Sequence, residues 1–232
     1  AAAERARIQV LNAQKDIEKN QKRKVFASDK LKDAEFLGQD ATLCLVEGLS
    51  AASSIAVSRD EKKYGILALR GKMINAFAND EEKFYQNEEV KLLLSAMNIV
   101  PNKYDSKKLR YGKVAILVDA DSDGFSIGLL IMCALYKVAP QFIEEGRLCW
   151  IRSPLYIVKN KDKEEYYFTD EEFNKVRNKV KGIVQRNKGL GSLSAEQAHN
   201  SMFIPENQHI DTLIPNETTL PLLMSLMGKD SE

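Results

Sequence analysis

Four short apolar runs alternate with segments of helical periodicity, and this rhythm constrains the fold more than any other feature of the chain. A buried strand followed by a helix, repeated several times, is typical of a largely parallel sheet with helices on its faces. The runs are ATLCLVEG from Ala41, YGILALRG from Tyr64, KVAILVDADSDG from Lys113 and GRLCWIRSPLYIVKN from Gly146, the last bent or ended near Pro154. The sequence therefore predicts an α/β, Rossmann-like domain with a mostly parallel four-stranded sheet flanked by helices.

The charge density changes on both sides of this region. The first residues are rich in helix formers and charge but lack a continuous apolar face, and charge rises again beyond Lys159. We therefore expect residues 1–36 to be a linker or the end of a preceding domain, and residues 37–158 to form the α/β domain. Residues 159–232 are expected to form a small, mainly helical tail region, which contains the segment QRNKGLGSLSAEQ.

Composition excludes several broad classes of protein. A chain of 232 residues that is 44% hydrophobic can bury a core, and 34 basic against 33 acidic residues give no global argument for nucleic acid. The longest apolar stretch is well short of the roughly 20 residues that a membrane span needs, so no membrane is expected. Cys44, Cys133 and Cys149 lie in apolar segments without a zinc-binding spacing, which predicts buried thiols in a reducing compartment.

Acidic residues collect where the predicted strands end. Asp119, Asp121 and Asp123 follow the third apolar run at every second position, and Glu47 ends the first run. Because carboxyl ends of parallel strands meet at one edge of a sheet, these carboxylates are expected to lie together. Capping of the following helix explains one of them, but three like charges at one strand end favour a bound cation. Oxygen ligands without histidine or cysteine favour Mg²⁺.

Two other readings of this acidic segment are weaker. A calcium-binding EF-hand loop also begins D-x-D-x-D-G, but it needs a glutamate at the position of Leu130 and a helix where this chain has VAILV. A phosphatase of the haloacid dehalogenase type also places a D-x-D pair after a buried strand. That reading gives Glu47 no role and does not predict the segment ALRGK.

Four motifs in order resemble one family. The segments VEGLSAA, ALRGKMINA, KLRYGKVAILVDADSDG and RNKGLGSL are similar to the Toprim and tail portion of the gyrase-B-like subunit of type IIA DNA topoisomerases. The compact tail without a zinc knuckle looks most like the large subunit of a T-even phage topoisomerase. One departure stands out, because Leu49 occupies a position where the family has aspartate.

The resemblance implies a role for each matching residue. Glu47 corresponds to a catalytic acid that binds metal and takes part in proton transfer at the scissile phosphate, and one or two Mg²⁺ ions are expected. The implied metal ligands are Glu47, Asp119, Asp121 and Asp123, and the implied DNA-binding residues are Arg70, Lys72 and Lys188.

The resemblance also implies a larger enzyme. It would be an ATP-dependent type II topoisomerase, with ATP bound elsewhere in the parent subunit and the nucleophilic tyrosine on the winged-helix domain of a partner subunit. Tyr111 follows an arginine, as that nucleophile does, but it stands before the third strand and is expected to be a packing or surface residue. Double-stranded DNA, a hetero-oligomer with two copies of each subunit, and a cytoplasmic, nucleoid-associated location (the host cytoplasm if phage-encoded) complete the expectation.

Two alternatives remain open at this point. A Toprim-family nuclease would hydrolyse DNA without a covalent intermediate, and ALRGK and KGLG argue against it. A non-catalytic DNA-binding module would not need Glu47, Asp119 and Asp121 together.

Overall fold

The central feature of the fold is a six-stranded sheet. The computed structural model describes residues 2–22, 29–161 and 163–229. The strands are β1 (Leu31–Lys32), β2 (Gly38–Glu47), β3 (Tyr64–Leu69), β4 (Tyr111–Leu117), β5 (Leu148–Ile151), β6 (Tyr156–Lys159), β7 (Glu164–Tyr167), β8 (Ile183–Arg186) and β9 (Ile210–Thr212). The sheet has the order β1-β3-β2-β4-β5-β9. Its four middle strands are parallel and its two short edge strands are antiparallel, which confirms the predicted α/β architecture.

Helices cover both faces of this sheet. They are α1 (Ala2–Lys22), α2 (Leu49–Ala56), α3 (Glu81–Gln86), α4 (Glu88–Met97), α5 (Ser122–Val138), α6 (Pro140–Glu144), α7 (Asp170–Val176), α8 (Ala195–Met202) and α9 (Thr219–Met227). Successive residues of a strand face opposite sides. Leu43 and Leu45 therefore pack in the layer that holds α4 and α5, whereas Cys44 and Val46 pack with α2 and α8.

No helix within the described ranges combines the length and the apolarity that crossing a bilayer requires.

The N-terminal segment takes part in the fold. Ala13 and Ile17 of α1 are buried in the main core, and β1 pairs with β3. The described parts of the segment predicted as a linker or the end of a preceding domain thus supply a helix and an edge strand. Residues 1 and 23–28 of that range lie outside the described residues.

The tail contains a second sheet that the sequence did not predict. The chain leaves the first sheet after Ile151, and β6 begins beyond Pro154 in an antiparallel sheet of order β7-β6-β8. Phe173 of α7 is buried against this sheet and its ring stacks on Tyr156 at a centroid distance of 4.2 Å. Helices α7, α8 and α9 make up most of the remaining regular structure of the tail. Residues 162 and 230–232 of the predicted tail lie outside the described residues.

Candidate metal centre

The register of the parallel strands determines where the acidic residues lie. Glu47, the last residue of β2, pairs with Leu69, the last residue of β3. Val46 pairs with Leu117, the last residue of β4. The three strands therefore end within one residue of one another. Their carboxyl ends form one edge, from which Glu47 projects and beyond which the chain continues to Asp119.

The next two aspartates belong to the start of α5. Asp121 is the N-cap residue of that helix, and its Oδ1 accepts the N–H of Gly124 at 2.8 Å. Asp123 lies in the first turn, where a negative charge interacts favourably with the helix dipole. Gly124 is required sterically, because a Cβ at this position would lie 2.1 Å from the carbonyl oxygen of Asp119. Helix capping thus accounts for the side chain of Asp121. The sequence had predicted that capping explains one of the three aspartates.

The segment KGLG lies against Asp119. The backbone N–H of Leu190 donates to Oδ1 of Asp119 at 2.7 Å. Gly189 has φ +155°, and a Cβ there would lie 2.6 Å from Oδ2 of Asp119. The segment therefore approaches the carboxylate with its backbone, and only glycine permits that approach. Sequence reasoning placed KGLG near DNA and missed this contact, for which the closely spaced glycines were the available signal.

The carboxylates raise the local negative charge. Burial raises the pKa of Glu47 above its ordinary value, and the charges of Asp119, Asp121 and Asp123 raise it further, while Lys72 acts in the opposite direction. The Nζ of Lys72 lies 2.8 Å from Oδ1 of Asp123. This hydrogen bond and charge lower the pKa of Asp123. The exposed edge therefore carries one ion pair beside an excess of negative charge.

The other predicted DNA-binding residues surround this edge. Arg70 directly follows β3, is exposed, and lies with its Nη2 3.1 Å from Oδ2 of Asp29. Lys188 is exposed and directly precedes Gly189. Leu49 begins α2, two residues after Glu47, and its side chain is exposed.

The donor atoms fit a hard divalent cation in their chemistry. Glu47, Asp119 and Asp121 offer only oxygen, and the pKa of Glu47 is raised by burial first and then by neighbouring negative charges, which a cation would offset. Over residues 2–22, 29–161 and 163–229, however, no three acidic, histidine or cysteine side chains stand close enough to form a ready-made metal site. Asp119 and Asp121 instead accept backbone N–H groups, and Asp123 pairs with Lys72. The ligand set remains a prediction.

A cavity of about 700 Å³ opens beside the aspartates. Phe125 of α5 and Trp150 of β5 form an apolar part of its wall, and their ring centroids lie 6.1 Å apart. Arg152 and Asp211 line the same cavity and form an ion pair at 2.6 Å. The acidic edge is thus continuous with a largely apolar recess between the two sheets.

Tyr111 is part of the structural core. Its side chain is fully buried, its hydroxyl donates to Oδ1 of Asp33 at 2.6 Å and accepts the N–H of Ala34 at 3.1 Å. Burial and the contact with Asp33 raise its pKa. The sequence left open whether this tyrosine packs in the core or lies on the surface, and the structure shows that it packs in the core.

Comparison with known proteins agrees with this geometry. Residues 42–151 match the Toprim domain family. The chain is 32% identical to the B subunit of DNA gyrase from Thermotoga maritima, over 99% of this chain and 36% of that protein. It is 35% identical to the B subunit of DNA topoisomerase 4 from a Staphylococcus aureus strain, over 82% of this chain and 30% of that protein. The chain thus spans about a third of the length of these relatives.

A solved structure shows the same architecture. The DNA-binding, cleavage and re-ligation domain of Plasmodium falciparum topoisomerase II superposes with a TM-score of 0.79 at 25% identity, over 89% of this chain and 30% of that one. The fold and the acidic strand ends therefore define a Toprim domain. More particularly, over most of its length the chain is similar to the Toprim region of type IIA topoisomerases, as found in the gyrase B and topoisomerase IV B proteins.

Proposed function

We propose that this chain is the Mg²⁺-binding Toprim part of an ATP-dependent type II topoisomerase, and that it completes the DNA cleavage and religation centre with a tyrosine-bearing partner subunit. The observation that carries the proposal is the convergence of Glu47 and Asp119 at one sheet edge, with the KGLG turn against Asp119. Gyrase B and topoisomerase IV B relatives over most of the chain support it.

The proposed roles follow from the chemistry of each side chain. Glu47, Asp119 and Asp121 would hold Mg²⁺, with Asp123 as a fourth acid and with one or two ions in total. Bound there, Mg²⁺ would neutralise phosphate charge and stabilise the oxygen that leaves on strand cleavage. Glu47 has a raised pKa, which suits it to exchange a proton at the scissile phosphate.

The basic residues would hold DNA without reading its sequence. Arg70, Lys72 and Lys188 are exposed around the acidic edge, where they can contact phosphates. Lys72 already pairs with Asp123. A DNA phosphate that approaches Lys72 would compete with the Asp123 carboxylate for the positive charge of this lysine.

The wider assignments are part of the same proposal. The nucleophilic tyrosine would lie on a winged-helix partner subunit, ATP would bind another part of the parent subunit, and two copies of each subunit would assemble on double-stranded DNA. Residues 37–158 would form the Toprim domain and residues 159–232 the tail. A cytoplasmic, nucleoid-associated location and a phage-like origin remain expectations.

Covalent trapping tests the proposal directly. The parent subunit and its partner subunit are assembled on supercoiled DNA with Mg²⁺, the reaction is stopped with detergent, and the polypeptide attached to the broken ends is identified. We expect attachment of the partner's chain at a 5′ end, and loss of cleavage in Asp121→Asn. Attachment to this chain would contradict the division of roles. Breaks without attached protein would instead indicate a hydrolytic nuclease.

A further inference from the structure

Asn187 is a buried polar residue directly before the KGLG turn. Its side chain is 7% exposed. Its Nδ2 donates to the carbonyl oxygen of Pro154 at 2.8 Å, and its Oδ1 accepts the N–H of Gly189 at 3.3 Å. The hydroxyl of Ser192 also contacts Oδ1. An amide carries a donor and an acceptor at one end of a short side chain, so asparagine can join two backbone segments here.

These contacts hold the turn of residues 187–192 against the corner between β5 and β6. The backbone N–H of Asn187 donates to the carbonyl oxygen of Leu155 at 2.9 Å, next to the contact with Pro154. Within the turn, the N–H of Ser192 donates to the carbonyl oxygen of Gly189 at 3.0 Å. The turn is therefore closed on itself and anchored at its first residue.

One donor of the turn is directed outward. The N–H of Leu190 donates to Oδ1 of Asp119 at 2.7 Å, across a separation of 71 residues. A role limited to satisfying buried backbone groups would explain the contacts of Asn187 with Pro154 and Gly189. It would not connect them to Asp119, whereas Leu190 donates to that carboxylate and a Cβ at Gly189 would collide with it.

We propose that Asn187 is a positioning residue for Asp119. It holds the turn of residues 187–192 so that the Leu190 N–H keeps the Asp119 carboxylate in one orientation before a cation binds. Partners of a metal ligand in this position typically change metal affinity by about 10- to 100-fold. The inference rests on the proposed role of Asp119 as a Mg²⁺ ligand.

The test measures both the hydrogen bond and the affinity. Mg²⁺ is titrated calorimetrically into the 232-residue chain, and the Leu190 amide is followed by ¹H–¹⁵N NMR and hydrogen exchange. In Asn187→Ala we expect the Leu190 amide proton to move upfield and exchange faster, and the Kd for Mg²⁺ to rise about tenfold. Ser192→Ala removes the hydroxyl that contacts Asn187, Lys188 and Gly189, and should change both quantities in the same direction.

Gln197→Ala is the matched control. Gln197 is also 7% exposed and lies in the tail, where its side chain accepts the N–H of Ser194 at 3.1 Å and donates to Glu164 at 3.2 Å. These two side-chain bonds lead away from the turn and from Asp119, so their loss should lower the melting temperature without changing Mg²⁺ affinity. Equal weakening of Mg²⁺ binding in Gln197→Ala and Asn187→Ala would overturn the proposal, because general loosening of the tail would then explain both.

Asp119→Asn separates this inference from the proposed function. If Asp119→Asn leaves Mg²⁺ binding unchanged, the metal site itself is wrong. If Asp119→Asn weakens binding while Asn187→Ala leaves both the Leu190 amide and the Kd unchanged, the metal site stands and the positioning role is wrong. Should Asn187→Ala fail to fold, an unchanged Leu190 amide and Kd in Ser192→Ala would overturn the role.

Discussion

The two sheets of this molecule contribute to the same site in different ways. The central sheet supplies carboxylate side chains from the ends of strands whose interior residues, such as Leu43 and Leu45, have no exposed surface. The tail sheet supplies a backbone N–H from a turn that follows β8, a strand whose four residues are all exposed.

The two sheets position their contributing groups with unequal amounts of buried surface around each group. Strands packed on both faces fix Glu47 and Asp119 through close packing, which resists displacement. The turn after β8 is held by the hydrogen bonds around Asn187 and by Leu190, which is buried in the layer that contains α2 and α8. Regions with few buried apolar contacts open more easily than the core, so we expect β8, whose four residues are exposed, to open more easily than the strands of the central sheet.

The largest effect is expected from a substitution that removes a carboxylate at the edge of the central sheet. Asp121→Asn should reduce Mg²⁺-dependent cleavage by more than about 100-fold, since losing a ligand costs more than losing its partner. Asparagine also serves as an N-cap, so the melting temperature should hardly change. Asp121→Ala should show the same loss of cleavage and should also lose about 1 kcal/mol of stability with the cap. Near-normal cleavage in Asp121→Asn would remove it from the metal site.

The second prediction separates the stability of the two sheets. Phe173→Ala removes the ring that stacks on Tyr156 and should cost about 3–5 kcal/mol locally. Hydrogen exchange should accelerate in β6, β7 and β8 and remain slow in β2 and β4. Leu43→Ala serves as the reference, because it should accelerate exchange in both sheets. Equal acceleration everywhere in Phe173→Ala would mean that the two sheets unfold as one unit.

The third prediction concerns the junction between the N-terminal segment and β4. Tyr111→Phe removes the hydroxyl shared by Asp33 and Ala34 and should lower the free energy of unfolding by about 1–3 kcal/mol. Urea unfolding measures this loss. Covalent attachment of the partner subunit to DNA should persist, because Tyr111 is buried. Loss of the covalent complex in a folded Tyr111→Phe protein would contradict its structural role.

The smallest expected effect concerns the loss of folding stability that comes from placing the Glu47 carboxylate close to other carboxylates. The pKa of Glu47 is raised in the folded protein, so its ionised form opposes folding. This penalty is absent below the ordinary glutamate pKa of about 4.3 and develops as the pH rises through the raised value. Without Mg²⁺, Glu47→Gln should therefore be more stable than the parent at pH 7, by less than about 1 kcal/mol because the group is partly solvated. Thermal unfolding at pH 7 and pH 3.5 tests this, and an equal gain at both would exclude the charge as its cause.

Much of the central sheet was predictable because its strands are continuous apolar runs. Those runs appear as β2, β3 and β4, each buried on both faces, and the acids follow their ends. The two-residue strand β1 is too short to leave a pattern, and the exposed strand β8 has no apolar alternation. These elements form because partners distant in the chain pair with them.

The site was predictable only as a set of side chains. Asp119 and Glu47 could be recognised by their place after buried strands. The approach of the Leu190 N–H to Asp119 depends on a backbone group, which has the same chemistry at almost every residue. A pattern of side chains therefore could not identify the contact, although the glycines beside it indicated an unusual backbone.

The level ending of the parallel strands has a consequence for the order of events during folding. Glu47 and Asp119 become neighbours only after α2, β3, α3 and α4 have been placed and β2 has paired with β4. Leu190 reaches Asp119 only after the tail has also returned to that edge. Contacts so distant in the chain form late, because closing long loops costs entropy before any pairing rewards it. A partly synthesised or partly unfolded chain therefore lacks the assembled acidic centre, so the proposed cation site exists only once the fold is complete.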